Sequence, residues 1–502
     1  MASQEELRSV RLGKLEALKA AGINPYPAET GKTHTCADIE KNFTVLEEKA
    51  EGITLAGRIM ALRGQGAISF VEIFDGTGRF QIVLKKDSPL DYTQEGVSLD
   101  DTFSFFKDTV DVGDFVEFSG VPFLTKRGAE SLEASSWKML TKALLPIPTE
   151  HFGLKDEEER FRNRHLDILI NPETRELLEM RSHFWRVTRR FFEDEGFLEV
   201  ETPTLEVTTG GAEATPFKTH HDDFDLDVFL RISVGELWQK RLMAAGFPKT
   251  FEIGKVYRNE GSSPEHVQEF TNLEFYWGYA NYRDGMKLVE RLYKKIAQDV
   301  FEKTQFETRG HTFDLADEWE EIDYREAILK KTEIDILTAT QEEMAAKLDE
   351  LHVKYEGDNK ERMMDTLWKY CRKQISGPAF LVNHPKLVSP LSKAQPNNDD
   401  LTQRFQIILA GSEIGNGYSE LNDPTEQRAR FEQQQVLLEA GDEEAMMPEW
   451  DFVEMLEHGM PPTCGFGFGE RLFTFLVDKP IRETQFFPLM KPKVEKKKEE
   501  NK

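Results

Sequence analysis

Residues 257–271 read YRNEGSSPEHVQEFT. An arginine, three acids, a histidine and a phenylalanine share one turn-rich stretch. An arginine can hold a phosphate or carboxylate through paired N–H groups, and a phenylalanine can stack on a base. The flanks, TFEIGKVY (250–257) and FTNLEFYWGY (270–279), alternate as strands do. Gly261, Ser262, Ser263 and Pro264 supply turn residues, so the spacing predicts the mouth of a long antiparallel hairpin. Two readings fit: a solvated loop, or a nucleotide cradle with Arg258 toward phosphate and Phe270 toward a base.

Other polar residues fall into register if their segments are strands. In EIGNGYSE (413–420), Asn416, Tyr418 and Glu420 share a face, with Gly415 and Gly417 as candidate bulge positions. In NLEFYWG (272–278), Glu274 and Tyr276 face away from Leu273, Phe275 and Trp277. No GxxxxGK[ST] occurs, which argues against a P-loop. GFGFG (465–469) lacks the surrounding βαβ unit and the spacing of a dinucleotide fingerprint.

The elements that must position these residues fall into blocks. ITLAGRIMALR, AISFVEIF, RFQIVLK, DFVEFSGVPFL (114–124) and ESLEASSWKML (130–140) read as five short strands. They suit an OB-type barrel or any other small antiparallel barrel. Residues 1–50 read as a helical extension, 51–145 as the barrel and 146–170 as a linker. A helix is expected from Asn171, with Pro172 in its first turn, to Gly196. FLEVETPTL then reads as a strand broken at Pro203. Residues 325–378 are helical by pattern, and the tail 491–502 is charged and expected to be disordered. Strands, inserted helices and later strands predict an α+β class for residues 171–490, with a mixed or antiparallel sheet flanked by helices.

Composition narrows the function classes. The 502 residues carry a net charge of −27, which disfavours non-specific nucleic-acid binding. Residues 51–145 hold ten Lys/Arg against fourteen Asp/Glu, so a nucleic acid there would be read by stacking and base edges more than by charge. Three separated cysteines argue against a disulfide framework and a zinc site. No signal-peptide core and no membrane-length apolar run is seen, so a cytoplasmic location is expected.

Three segments together resemble motifs 1, 2 and 3 of the class II aminoacyl-tRNA synthetases: residues 171–205, the hairpin at 250–280 and GFGFGERLFTFL within 463–477. GGAEATPFKTHHDDFDLDVFLRISVGELWQKRL (210–242) and SEIGNGYSELNDPTEQRARF (412–431) are similar to the lysyl-tRNA synthetases among them. The resemblance implies an N-terminal OB-fold anticodon-binding barrel followed by a class II catalytic domain. It implies lysine activation with ATP, transfer to tRNA(Lys), and a homodimer formed through motif 1.

Residue roles follow from that resemblance alone. Arg258 and Arg471 take the catalytic arginine positions. Glu260, His266, Phe270 and Glu413 complete the ATP contacts, with Phe270 on adenine. Glu420 and Tyr276 take the lysine ε-ammonium; Glu236, Glu274 and the backbone of Gly211 take the α-amino group; Asn416 helps hold the carboxylate. Glu413 matches a magnesium ligand. The second acidic ligand falls at Gln406, an amide that supplies no charge. Arg63, Phe70 and Gln81 match anticodon contacts, although a phenylalanine in a barrel strand is by pattern more often core. Two rivals differ in class: a relative that modifies proteins, which would lack the barrel, and a catalytically silent RNA-binding homologue, which Gln406 and a motif 3 one residue short would suit.

Overall fold

The computed structural model describes residues 3–148, 154–209, 214–261, 263–355, 359–439 and 446–493. Two compact units divide the chain, Met1–Asp156 and Glu157–Lys502.

In the first unit five strands form the barrel: Ile53–Gln65, Ile68–Phe74, Arg79–Lys85, Phe115–Leu124 and Glu130–Thr141. Neighbours pair antiparallel, and Arg79–Lys85 closes the ring by pairing parallel with Glu130–Thr141. Ile68–Phe74 alternates between buried and half-buried positions, as a strand with one face on a core must. Helices Gln4–Ala20 and Cys36–Glu48 start at Ser3/Glu6 and Thr35/Asp38 capping boxes. Their Leu18, Ile39, Phe43 and Leu46 pack into the same core as Ile59, Val71 and Trp137. Helices Gln4–Ala20 and Cys36–Glu48 therefore share the barrel's hydrophobic core, because the apolar faces of both need the barrel to cover them.

The expected linker 146–170 is corrected. Glu157–Arg162 and Arg164–Ile170 are helices of the second unit. Arg164 is buried there, 2.6 Å from Asp167 and 2.5 Å from the Glu483 carbonyl. At the other end, residues 491–493 are placed: the Lys491 carbonyl accepts from Arg162, and Lys493 pairs with Glu159. Residues 494–502 of the expected tail lie outside the described residues.

The second unit is built on an eight-stranded sheet. Its order is Glu320–Asp323, Ala379–Val382, Arg404–Leu409, Ser412–Ser419, Thr463–Gly469, Glu269–Gly278, Lys249–Tyr257, Leu198–Glu199. The six inner strands pair antiparallel; the outermost pair at each edge is parallel. The helix expected from Asn171 spans Pro172–Asp194. It and Tyr282–Phe301 bury Phe184, Phe192, Leu292 and Ile296 against Phe275, Phe466 and Phe468 of the sheet. The segment broken at Pro203 becomes two short strands in different sheets, Leu198–Glu199 and Leu205–Glu206. The helical insertion is Tyr324–Thr332, Gln341–Glu350 and Lys360–Arg372, with its own core around Met344, Leu348, Leu367 and Trp368.

Candidate active site

Strand Thr463–Gly469 explains GFGFG. Phe466 and Phe468 enter the core, while Gly465, Gly467 and Gly469 turn toward the other side of the sheet. A Cβ at Gly465 would lie 2.1 Å from Glu420 Oε1 and 2.7 Å from Tyr276; one at Gly467 would lie 2.8 Å from Glu274 Cγ. The glycines are the floor of a cleft of about 310 Å³. Around it stand Arg258, Glu260, His266, Phe270, Glu274 and Tyr276 from the hairpin, and Gln406, Glu413, Asn416 and Glu420 from the neighbouring strands. Glu236 and Arg471 complete the wall. Gly211 lies outside the described residues. The bulge falls one position before Gly415, at Ile414, where Ile407 pairs with Gly415 and Ile408 with Glu413.

One half of the cleft is acidic and deeply buried. Glu274 accepts from the Val234 N–H at 2.8 Å and from the Tyr276 hydroxyl at 3.1 Å. Burial first, and then the charge of Glu236, push its pKa up to about 7. Glu420 is pushed up to about 8, mainly by burial, with Lys240 pulling the other way. Its Oε1 is buried with no hydrogen-bond donor among the described residues. Lys240 was not singled out from the sequence. Its ammonium sits 2.9 Å from Glu236 and 2.6 Å from Glu420, ringed by Tyr276, Tyr418 and Phe452. The Glu236–Lys240 spacing of i, i+4 on helix Glu236–Ala244 was the available signal. Glu236 also accepts from the Tyr418 hydroxyl. Asn416 Oδ1 accepts from Arg404 Nε at 2.8 Å, so its NH2 is the end turned from that arginine.

The other half presents cations. Arg258 makes one long contact, 3.4 Å to the Ile232 carbonyl, and its buried Nε has no partner among the described residues. Its guanidinium lies 5.5 Å from the Phe270 ring centre. Arg181 of helix Pro172–Asp194 pairs with Glu470, and the Glu470 N–H donates to the Thr271 carbonyl at 3.0 Å, which pins Arg471 beside the hairpin. Arg471 donates to Glu265 at 3.0 Å, and Arg309 joins the same carboxylate at 3.3 Å. Arg309 comes from the turn between strands Gln305–Thr308 and His311–Asp314, far from the motifs in sequence, and no local pattern marked it.

Gln406 is not placed as a metal ligand beside Glu413. Its Nε2 donates to Glu413 at 3.1 Å, and its Oε1 faces His384 Nε2 at 3.0 Å. Burial, and then Arg404, lower the His384 pKa to about 3, so the ring is neutral. Glu413 also accepts from the Trp368 indole at 2.8 Å and pairs with Arg372 at 3.2 Å. Both partners come from the inserted helix Lys360–Arg372. Among the described residues no group of three or more His, Cys, Asp and Glu is arranged to hold a metal ion.

In the first unit, Phe70 stands directly opposite Arg63, and Gln81 opposite Glu72, on adjoining strands. Phe70 and Glu72 alternate, so all four share a face, and Phe70 is half-buried and outside the core. Gln81 donates to Ser131 at 2.7 Å.

Residues 156–491 match the family described as tRNA synthetases class II (D, K and N), and residues 53–140 match an OB-fold nucleic acid binding domain. The chain is 42% identical over 494 residues to the lysine–tRNA ligase of Roseiflexus sp. (strain RS-1), covering 97% of this chain and 99% of that one. It is 40% identical over 495 residues to that of Thermotoga maritima, covering 97% of each chain. It is 39% identical over 502 residues to that of Bacillus subtilis, covering 97% of this chain and 98% of that one. A two-unit chain with an OB-fold barrel, a largely antiparallel sheet carrying the three motifs and this cleft belongs to the class II tRNA synthetases of the D, K and N group, among its lysine–tRNA ligases.

Proposed function

We propose that this cleft activates L-lysine with ATP and that the chain then transfers lysine to the 3′ end of tRNA(Lys). The observation that carries this reading is a buried carboxylate oxygen, Glu420 Oε1, and a buried guanidinium nitrogen, Arg258 Nε, in one cleft, neither with a hydrogen-bond partner among the described residues. Lysine carries an ammonium at one end and a carboxylate at the other.

The charges match. Glu236, Glu274 and Glu420 when ionised, less the Lys240 ammonium, leave two negative charges for the ε- and α-ammonium groups of lysine. A buried charge is costly unless paired, so a neutral or acidic side chain is rejected here. Glu420 and Tyr276 take the ε-ammonium; Glu274, Glu236 and the Gly211 backbone take the α-amino group; the Asn416 NH2 supports the carboxylate.

Arg258 bridges that carboxylate and the α-phosphate of ATP. A carboxylate oxygen attacks the α-phosphorus, the bond to the β-phosphate oxygen breaks, and pyrophosphate leaves with the electron pair. No protein nucleophile takes part; positioning and charge stabilisation supply the acceleration. Phe270 stacks on adenine, a contact of about 1–3 kcal/mol in comparable stacks. Glu260 and His266 flank the nucleotide, and Arg471 meets the far phosphates once Glu265 releases it. Magnesium arrives as the counter-ion of ATP. A hydroxyl of the terminal tRNA adenosine then attacks the adenylate carbonyl and AMP leaves. Phe70, Arg63 and Gln81 read the anticodon by stacking and edge contacts. Two copies dimerise around motif 1, where Leu198, Leu205 and Val207 are exposed. The reaction is expected in the cytoplasm.

The test is ATP–pyrophosphate exchange with each standard amino acid and no tRNA. Exchange that depends on lysine alone is the expected result. No exchange from folded protein with magnesium present would favour the silent RNA-binding reading.

A further inference from the structure

We infer that positions 406 and 413 hold no cation of their own in this chain, and that the Arg372 guanidinium supplies at Glu413 the positive charge a protein-held metal would bring. This deepens the lysine-activation reading and rests on it.

The hydrogen bonds fix the orientation of Gln406. A carboxylate has no proton to give, so only the Gln406 NH2 can face Glu413. The Gln406 carbonyl must then face His384, whose Nε2 carries the proton. Both ends of the amide are engaged, and so are both oxygens of Glu413. Its Oε1 meets the Trp368 indole N–H and the Arg372 guanidinium, and its Oε2 meets Gln406. Magnesium binds oxygen ligands in near-octahedral geometry and gives up its water reluctantly. To bind here it would compete with the N–H donors of Trp368 and Gln406, and it would meet a guanidinium already beside the carboxylate. Nearby Asp365 is paired with Lys369 at 2.6 Å.

Arg372 stands 3.2 Å from Glu413, a residue of the cleft wall, and its charge opposes that of Arg471. The inserted helix Lys360–Arg372, which has no place in the three motifs, thereby brings a positive charge to Glu413. The metal that takes part is the one the nucleotide carries.

The experiment counts bound Mn2+ by electron paramagnetic resonance on the full chain with lysine and α,β-methylene ATP, which cannot release pyrophosphate. The wild type is expected to hold a single Mn2+ per bound nucleotide and none without nucleotide. Gln406→Glu, alone and with Arg372→Gln, is expected to add a second Mn2+ or to tighten binding at least about tenfold. In parallel, wild-type exchange is expected to reach its maximum when magnesium equals ATP, and the variants to need excess magnesium. A second Mn2+ in the wild type that Glu413→Gln removes would overturn the inference. So would a Gln406→Glu variant, folded by circular dichroism, with an unchanged count and affinity. Lysine-dependent exchange by the same wild-type preparation separates the two failures: its absence defeats the functional reading, and its presence with a second Mn2+ defeats only this inference.

Discussion

Gly465 illustrates how a residue with no functional group defines a binding site. Its missing Cβ is the space between Glu420 Oε1 and the Tyr276 ring. Gly465→Ala is expected to weaken lysine binding by on the order of a hundredfold while leaving ATP affinity within a factor of about two, since the methyl forces apart two buried groups worth about 2–3 kcal/mol in place. Calorimetric titration with each ligand separately checks it; equal loss for both would mean the strand had moved as a whole. Glu420 and Glu274 make the same half of the cleft sensitive to pH. Both carboxyls are raised in the empty site, to about 8 and about 7. Lysine needs them ionised, so binding expels protons below those values. Lysine affinity should therefore rise from pH 6 to pH 8, by at most about tenfold per pH unit for each proton released. Titrations in two buffers of different ionisation enthalpy should show the released proton; identical heats would contradict it.

At the scale of elements, the site is a set of neighbouring strands, with Glu236 and Arg471 at the starts of two helices and the inserted helix Lys360–Arg372 behind Glu413. Strands can be read for side-chain direction because their period is two, and the sharing of a face by Glu274 and Tyr276, or by Asn416, Tyr418 and Glu420, was legible for that reason. The inserted helix was legible as a helix but not in its destination. Trp368 and Arg372 reach Glu413 because strands Arg404–Leu409 and Ser412–Ser419 lie beside the insertion's core, a tertiary fact. Trp368→Phe removes a hydrogen bond to a carboxylate and is expected to cost about 1.5–3 kcal/mol of stability in urea unfolding. A change below about 0.5 kcal/mol would mean that Glu413 finds another donor. In the barrel, Phe70→Ala should cost about 1–3 kcal/mol in tRNA binding, read as a raised KM for tRNA charging, with adenylate formation unchanged.

For the whole molecule, the proposed function divides the labour between two units. Arg258→Ala should lower pyrophosphate exchange by on the order of a hundredfold to a thousandfold, the usual cost of losing one preorganised charge donor at a reacting centre. Equal loss of exchange in Arg258→Ala and Phe70→Ala would contradict the division. The sequence by itself determined the local parts: the barrel strands, the hairpin carrying Arg258 and Phe270, and the glycine strand before Glu470 and Arg471. Turn residues and periodicity of two or 3.6 are written locally, and the motif resemblance supplied the roles. Only the tertiary structure decided which groups share a charge. Lys240 balances Glu236 and Glu420, Glu265 holds Arg471 and Arg309, and Arg372 and Gln406 occupy Glu413. It also decided that the N-terminal helices complete the barrel core and that residues 157–170 belong to the second unit. Electrostatic and packing energies depend on distance in space, and residues far apart along the chain carry no mark of the partner that the fold brings to them.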